Sequence, residues 1–225
     1  MKSQFPDETL ARIERCGVVA VLVIDDADDA VPLAKALLDG GVNVMELTLR
    51  TAAALDALKN VCRHVPEMLA GIGTILRTEQ IQQVSDAGAA FGVAPGLNGH
   101  IVRHAQQVGL PFAPGVVTPS DIELAVELGC RELKFFPAQP SGGMQYLTSM
   151  AAPYNHLELR YIPLGGINVN NMLDYLAKDI VPAVGGSWIA TRSLIAEKNW
   201  LAITENASAA RSAIDRLRNR SVETS

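Results

Sequence analysis

"VVAVLVIDDADDAVPLAKALLDGG", Val18 to Gly41, is the stretch on which the fold turns. Its first seven residues, Val18 to Ile24, are a β-branched apolar run of the kind found in strands covered on both faces. Acidic residues follow, then apolar residues at helical spacing, then two glycines, which is the signature of an amphipathic helix and its stop. A strand feeding a helix is half of a parallel crossover. How often the unit recurs therefore decides the architecture.

It recurs along the chain. "VMELTLR" (Val44–Arg50) leads into a helix over 51–64, and "MLAGIGTI" (Met68–Ile75) into one over 78–87. "FGVAPG" (Phe91–Gly96) precedes a helix over 98–108, and "PFAPGV" (Pro111–Val116) precedes "TPSDIELAVELG", where Thr118 or Ser120 can cap. "ELKFFPA" (Glu132–Ala138) is followed by a helix over 143–150, and "LELRYIPLGGI" (Leu157–Ile167) by one over 168–177. "VPAVGGSWIA" (Val181–Ala190) and a long helix over 200–218 close the series. An extra N-terminal helix over 7–15 precedes it, and "NRSVETS", 219–225, reads as a frayed tail. Evenly spaced units with no linker or inserted domain predict an α/β protein, a (β/α)8 TIM barrel forming a single domain over 1–225. A doubly wound open sheet is the rival, and the even spacing favours closure.

Composition narrows the function classes. The 225 residues are 48% hydrophobic and 19% charged, ordinary for a globular chain with a substantial core. A net charge of -5 offers no basic surface for nucleic acid. Apolar runs such as Val18–Ile24 fall far short of the ~20 residues that span a bilayer, and the charged N-terminus has no signal-peptide core. Cys16, Cys62 and Cys130, odd in number and widely spaced, suggest neither a disulfide framework nor a zinc cluster. A cytoplasmic, reduced protein without membrane or nucleic-acid partners is expected.

In a barrel of this type the active site lies at the C-terminal ends of the strands. Polar residues there are Glu46 and Arg50, Thr74, Pro95 beside its glycine, Lys134 with Phe136, and the runs Gly165-Gly166 and Gly185-Gly186-Ser187. Side chains alternate along a strand, so Glu46, Thr48 and Arg50 share one face of the second, and Lys134 and Phe136 one face of the sixth. Lys134 is the odd member. Lys2 is terminal, Lys35, Lys59 and Lys178 fall in expected helices, and Lys198 in a polar loop; Lys134 alone interrupts an apolar strand. An internal salt bridge of Glu46 and Arg50, with Lys134 as third partner, is the structural alternative. Buried ion networks stabilise poorly compared with apolar packing, which favours chemistry. An amine near pKa ~10.4 is protonated at neutral pH, and burial beside another cation is how enzymes free one to attack a carbonyl. A Schiff-base lysine is the best account of Lys134.

The glycine pairs make a second constellation. Glycines after strands seven and eight of a barrel let backbone N–H groups approach a phosphate, and Ser187 adds a hydroxyl. His100 and His104, four apart on a helix, read as a solvated face, and His64 and His156 as surface residues. No Asp/Glu/His cluster has the spacing of a divalent-metal site, which leaves the imine route without a metal.

The chain resembles the class I 2-keto-3-deoxy-6-phosphogluconate (KDPG) and 4-hydroxy-2-oxoglutarate (KHG) aldolases. The likeness runs nearly end to end, through "AVPLAKALLDGGVNVMELTLRT", "GIGTIL", "FGVAPGL", "PFAPGVVTPSD", "ELKFFPA", "GGIN" and "VGGSW". The resemblance implies an aldehyde-lyase of Entner–Doudoroff carbohydrate metabolism, cleaving KDPG to pyruvate and glyceraldehyde 3-phosphate and KHG to pyruvate and glyoxylate. It implies imine formation by Lys134 and proton transfer by Glu46. Arg50, Thr74 and Pro95 would hold the pyruvate carboxylate, Phe136 would pack beside the lysine, and Gly165, Gly166, Gly186 and Ser187 would bind phosphate. A homotrimer without cofactors is implied as well. One departure stands out: relatives commonly carry threonine before the first glycine pair, where this chain has Leu164. The substrate could therefore shift to a related 2-keto-3-deoxy sugar acid or toward KHG. A non-catalytic barrel that binds phosphorylated metabolites is the reading from another class.

Overall fold

The computed structural model describes residues 3–223. Its strands are β1 (Val18–Leu22), β2 (Val44–Thr48), β3 (Leu69–Gly73), β4 (Gly92–Val93), β5 (Phe112–Ala113), β6 (Gly115–Val116), β7 (Glu132–Phe135), β8 (Arg160–Pro163) and β9 (Val184–Gly186). Its helices are α1 (Asp7–Cys16), α2 (Ala30–Asp39), α3 (Ala54–His64), α4 (Thr78–Asp86), α5 (Gly99–Val108), α6 (Pro119–Glu127), α7 (Gly143–Ala151), α8 (Met172–Leu176), α9 (Arg192–Ala196) and α10 (Trp200–Glu223). Every strand pairing is parallel. One sheet runs β5-β4-β3-β2-β1-β9 and a second β6-β7-β8, with an isolated parallel bridge between Leu164 and Gly185 joining the end of β8 to β9. This is an α/β fold on curled parallel sheets.

The fifth expected strand is split in two because Pro114 has no N–H for the ladder. Its carbonyl still accepts from the Lys134 N–H at 2.9 Å, so the chain keeps its course. Most other strands stop short of their expected ends: β1 at Leu22, β2 at Thr48, β3 at Gly73. The residues beyond leave the ladder and form the rim on which the site is built. Helix starts follow the chemistry of the chain. Thr118 rather than Ser120 caps α6, accepting from the Asp121 N–H while the Asp121 carboxylate accepts from Thr118, and Pro119 fills the first turn. Asn98 caps α5 by accepting from the His100 N–H. Lys178, expected in a helix, lies just past α8. Helix α10 passes the expected stop at Arg218 and continues through Glu223, since no glycine or proline interrupts it. The last two residues of the expected tail, 224 and 225, lie outside the described residues.

One continuous apolar core links Phe5 to Ile214. Helix α10 closes it against α2, so tightly that a Cβ on Gly40 would lie 2.5 Å from Ala207 Cβ. Arg211 and Arg218 of α10 donate to the carbonyls of Glu14, Arg15 and Cys16, the orphan acceptors at the end of α1. Near α1, at the N-terminal end of the strands, Glu132 is buried and accepts from the Ser3 hydroxyl at 2.8 Å. Burial pushes its carboxyl above the usual value, outweighing that hydrogen bond and the cations Arg160 and Arg131.

Candidate active site

At the C-terminal ends of the strands lies a cavity of ≈ 370 Å³, within the range that takes a small metabolite. Glu46, Arg50, Thr74, Pro95, Lys134, Phe136, Gly165, Gly166, Gly186 and Ser187 all line it. Residues separated by up to 141 positions (Glu46 to Ser187, 187 minus 46) thus meet at one rim. Gly185, first of the second glycine run, lines it as well, and so do Val21 and Ile167, which were not singled out from sequence. Val21 is one more β-branched residue in an apolar strand, and nothing in its identity marks it.

Lys134 and Glu46 form the centre. The Lys134 Nζ lies 3.1 Å from Glu46 Oε1 and 3.4 Å from Oε2, and both side chains are almost fully enclosed. β7 carries the lysine and β2 the glutamate, with β1 and β3 flanking β2. Gly73 makes room for the carboxylate: a Cβ there would sit 1.8 Å from Glu46 Oε1. The Phe136 ring lies beside the amine, its centroid 5.5 Å from Nζ. Beneath the pair is a second, apolar chamber of only ≈ 20 Å³, walled by Phe5, Ile13, Phe91 and Leu164. Water therefore has little access from below.

Arg50 reaches the cavity by a different route from strand alternation. β2 ends at Thr48, the Arg50 N–H turns back to the Thr48 carbonyl at 2.7 Å, and Arg50 Nε donates to Thr48 Oγ1 at 3.1 Å. Thr48 Oγ1 in turn donates to the Leu22 carbonyl at 2.9 Å. Arg50 is exposed at the mouth and forms no ion pair with Glu46; the carboxylate is bridged to Lys134. The alternative of a Glu46–Arg50 structural bridge loses its key contact. Thr74 holds a left-handed backbone at φ 63°, which turns the chain across the end of β3.

The opposite wall is main chain. Gly165 and Gly166 have φ of 94° and 77°, conformations that side chains rarely adopt, and a Cβ on Gly186 would strike the Trp188 ring at 1.8 Å. Leu164 is buried, faces both chambers, and leaves space at Gly185 for nothing larger than hydrogen. His100 and His104 stand apart, in a shallow outer groove with Glu79 and Arg103. Among the described residues no group of three His, Cys, Asp or Glu could hold a metal ion, and no helix is long and apolar enough to cross a membrane.

A sequence model described as "Aldolase: KDPG and KHG aldolase" matches residues 10–206. The chain belongs to this family. It is 40% identical over 188 residues to the KHG/KDPG aldolase of Escherichia coli K12, covering 84% of this chain and 87% of that one. It is likewise 40% identical over 192 residues to the 2-dehydro-3-deoxy-phosphogluconate aldolase of Treponema pallidum, covering 85% and 90%. Among solved structures, the KDPG aldolase of Legionella pneumophila superposes with a TM-score of 0.85 at 36% identity, over 90% of this chain and 97% of that one. That enzyme was captured with pyruvate as a covalent carbinolamine intermediate.

Proposed function

We propose that the chain is a class I aldolase that cleaves KDPG into pyruvate and glyceraldehyde 3-phosphate through an imine on Lys134. The observation that carries this reading is the enclosed Lys134–Glu46 contact of 3.1 Å at the wall of the cavity. The substrate C2 carbonyl accepts the amine, and Glu46 takes and returns the protons needed to lose water from the carbinolamine. The protonated imine then draws the electrons of the breaking C3–C4 bond, while Glu46 accepts the C4 hydroxyl proton. The enamine left behind is protonated at C3, and hydrolysis frees pyruvate and Lys134. Arg50, Thr74 and the main chain at Pro95 hold the carboxylate, Phe136 packs along the amine, and Gly165, Gly166, Gly186 and Ser187 receive the phosphate.

The same reading closes the two sheets into one (β/α)8 barrel spanning 1–225, with α1 as its extra N-terminal helix, and makes the protein a cytoplasmic homotrimer. Leu164 bears on the substrate. An apolar side chain cannot reward a substrate hydroxyl with a hydrogen bond, so KHG, releasing pyruvate and glyoxylate, is a second substrate within reach. Borohydride reduction with pyruvate tests the chemistry: a pyruvyl adduct on Lys134 is expected, together with coupled pyruvate release from KDPG. Binding of phosphorylated acids with no adduct and no release would leave a metabolite-binding barrel instead. Ser187→Ala should raise KM for KDPG by the worth of one charge-assisted hydrogen bond, about 1.5–3 kcal/mol, and spare KHG. Leu164→Thr should shift kcat/KM toward KDPG; an unmoved ratio removes Leu164 from substrate recognition.

A further inference from the structure

Both backbone carbonyls of the first glycine pair are held from outside the cavity. The Gly165 carbonyl accepts from the Gln139 N–H at 2.9 Å, and the Gly166 carbonyl accepts from Asn171 Nδ2 at 3.0 Å. Asn171 is fixed at both ends, because its Oδ1 accepts from the Asn168 N–H at 2.8 Å. Two bonds of opposite polarity leave its amide a single orientation. In a trans peptide the N–H points opposite to the carbonyl. Gln139 and Asn171 lie outside the cavity, whereas Gly166 and Ile167 line it. The N–H groups of Gly166 and Ile167 are therefore turned to the cavity, and among the described residues neither donates to any partner. Successive free N–H groups after left-handed residues form a concavity suited to an anion. Gln139 Cβ fills the space behind Gly166, at 2.6 Å from where a Cβ would stand, so the loop cannot recoil.

We propose that Asn171 is a positioning residue of the aldolase: by holding the Gly166 carbonyl it aims the Ile167 N–H at the distal phosphate of the substrate. Ile167, through its main chain, becomes a phosphate ligand beside Gly166 and Ser187. The assignment rests on the phosphate reading given above.

Inorganic phosphate as a competitive inhibitor against KDPG separates the two. Wild type should be inhibited; absence of competition overturns the phosphate reading and this assignment with it. Asn171→Asp keeps the acceptor for the Asn168 N–H, removes the donor and sets a carboxylate against the Gly166 carbonyl. It should weaken phosphate inhibition and raise KM for KDPG roughly tenfold, with kcat and KM for KHG nearly unchanged. Borohydride trapping of pyruvate should proceed as in wild type, which also shows that the variant is folded. Asn171→Ser, which keeps a shorter donor, should recover part of the loss. Wild type inhibited by phosphate and Asn171→Asp inhibited equally would overturn the role of Asn171 alone. So would equal losses for KDPG and KHG, or equal losses in the Asp and Ser variants, since a merely structural residue would give these.

Discussion

Glu46 and Glu132 are both nearly enclosed, 2% and 4% exposed, but their surroundings differ. Glu46 stands at the C-terminal rim with Lys134 Nζ 3.1 Å away. Glu132 sits two residues before that lysine, at the other end of β7, and among the described residues its only side-chain hydrogen-bond donor is Ser3. A buried charge is tolerated when paired and otherwise shifts toward its neutral form. At the rim the carboxylate has the Lys134 amine as its partner and opens on a cavity. At the closed end desolvation prevails and the carboxyl is pushed up. The same fold therefore holds one acid paired at the wall of a cavity and another as part of the packing.

The largest expected effect comes from breaking the rim pair. Lys134→Ala should lose pyruvate trapping and about a thousandfold or more in turnover, as loss of a covalent nucleophile does. It also leaves Glu46 buried without its cation, which costs about 3 kcal/mol and so lowers Tm by about 6–12 °C in a chain of this size. Lys134→Met combined with Glu46→Gln should restore much of the melting temperature and none of the activity. If the single variant melts like wild type, Glu46 does not depend on Lys134. Next in size, Gly73→Ala places a methyl 1.8 Å from Glu46 Oε1, which must move the carboxylate. A displacement of about 1 Å can cost on the order of 100-fold in rate, so kcat should fall while pyruvate trapping persists. Equal loss of both would point to a collapsed site rather than a misplaced acid.

The smallest effect is at the closed end. Because folding raises the carboxyl pKa of Glu132, its contribution is complete below the ordinary value of 4.5 and is lost as pH rises through the raised one. Ionised Glu132 therefore weakens the fold at neutral pH. Glu132→Gln should raise Tm at pH 7 and change it little at pH 4, with kcat unaltered; a lower Tm at pH 7 would contradict the assignment. Ser3→Ala removes the donor that favours the carboxylate and should lower Tm at pH 7.

This contrast also shows what could be seen in the chain beforehand. Lys134 was legible because an ammonium in an apolar strand has no packing rationale, and Glu46 because alternation put it on the inward face. Glu132 was not, since one more glutamate at the start of a strand looks like a solvated end until Ser3 covers it. Arg50 was correctly placed at the cavity but for an incomplete reason: the ladder ends at Thr48 and a tight turn carries the guanidinium back. Repeating strands and helices could be counted from periodicity, whereas the break at Pro114 and the early strand ends depend on which backbone groups find partners across the sheet. Asn171 lay beyond sequence reasoning. Its value is one side-chain bond to a carbonyl five residues earlier, and no local pattern announces that.

The arginine contacts between α10 and α1 bear on how the protein is made. Arg211 and Arg218 hold carbonyls of α1 across 195 to 204 positions of chain. On the ribosome α1 emerges well ahead of these arginines, at about 5–20 residues per second, and for tens of seconds its last turn lacks the donors that α10 supplies. The underside of the fold is thus completed by a segment synthesised long after α1. A nascent chain stalled before Arg211 would carry a full set of rim residues on a structure still open at its base.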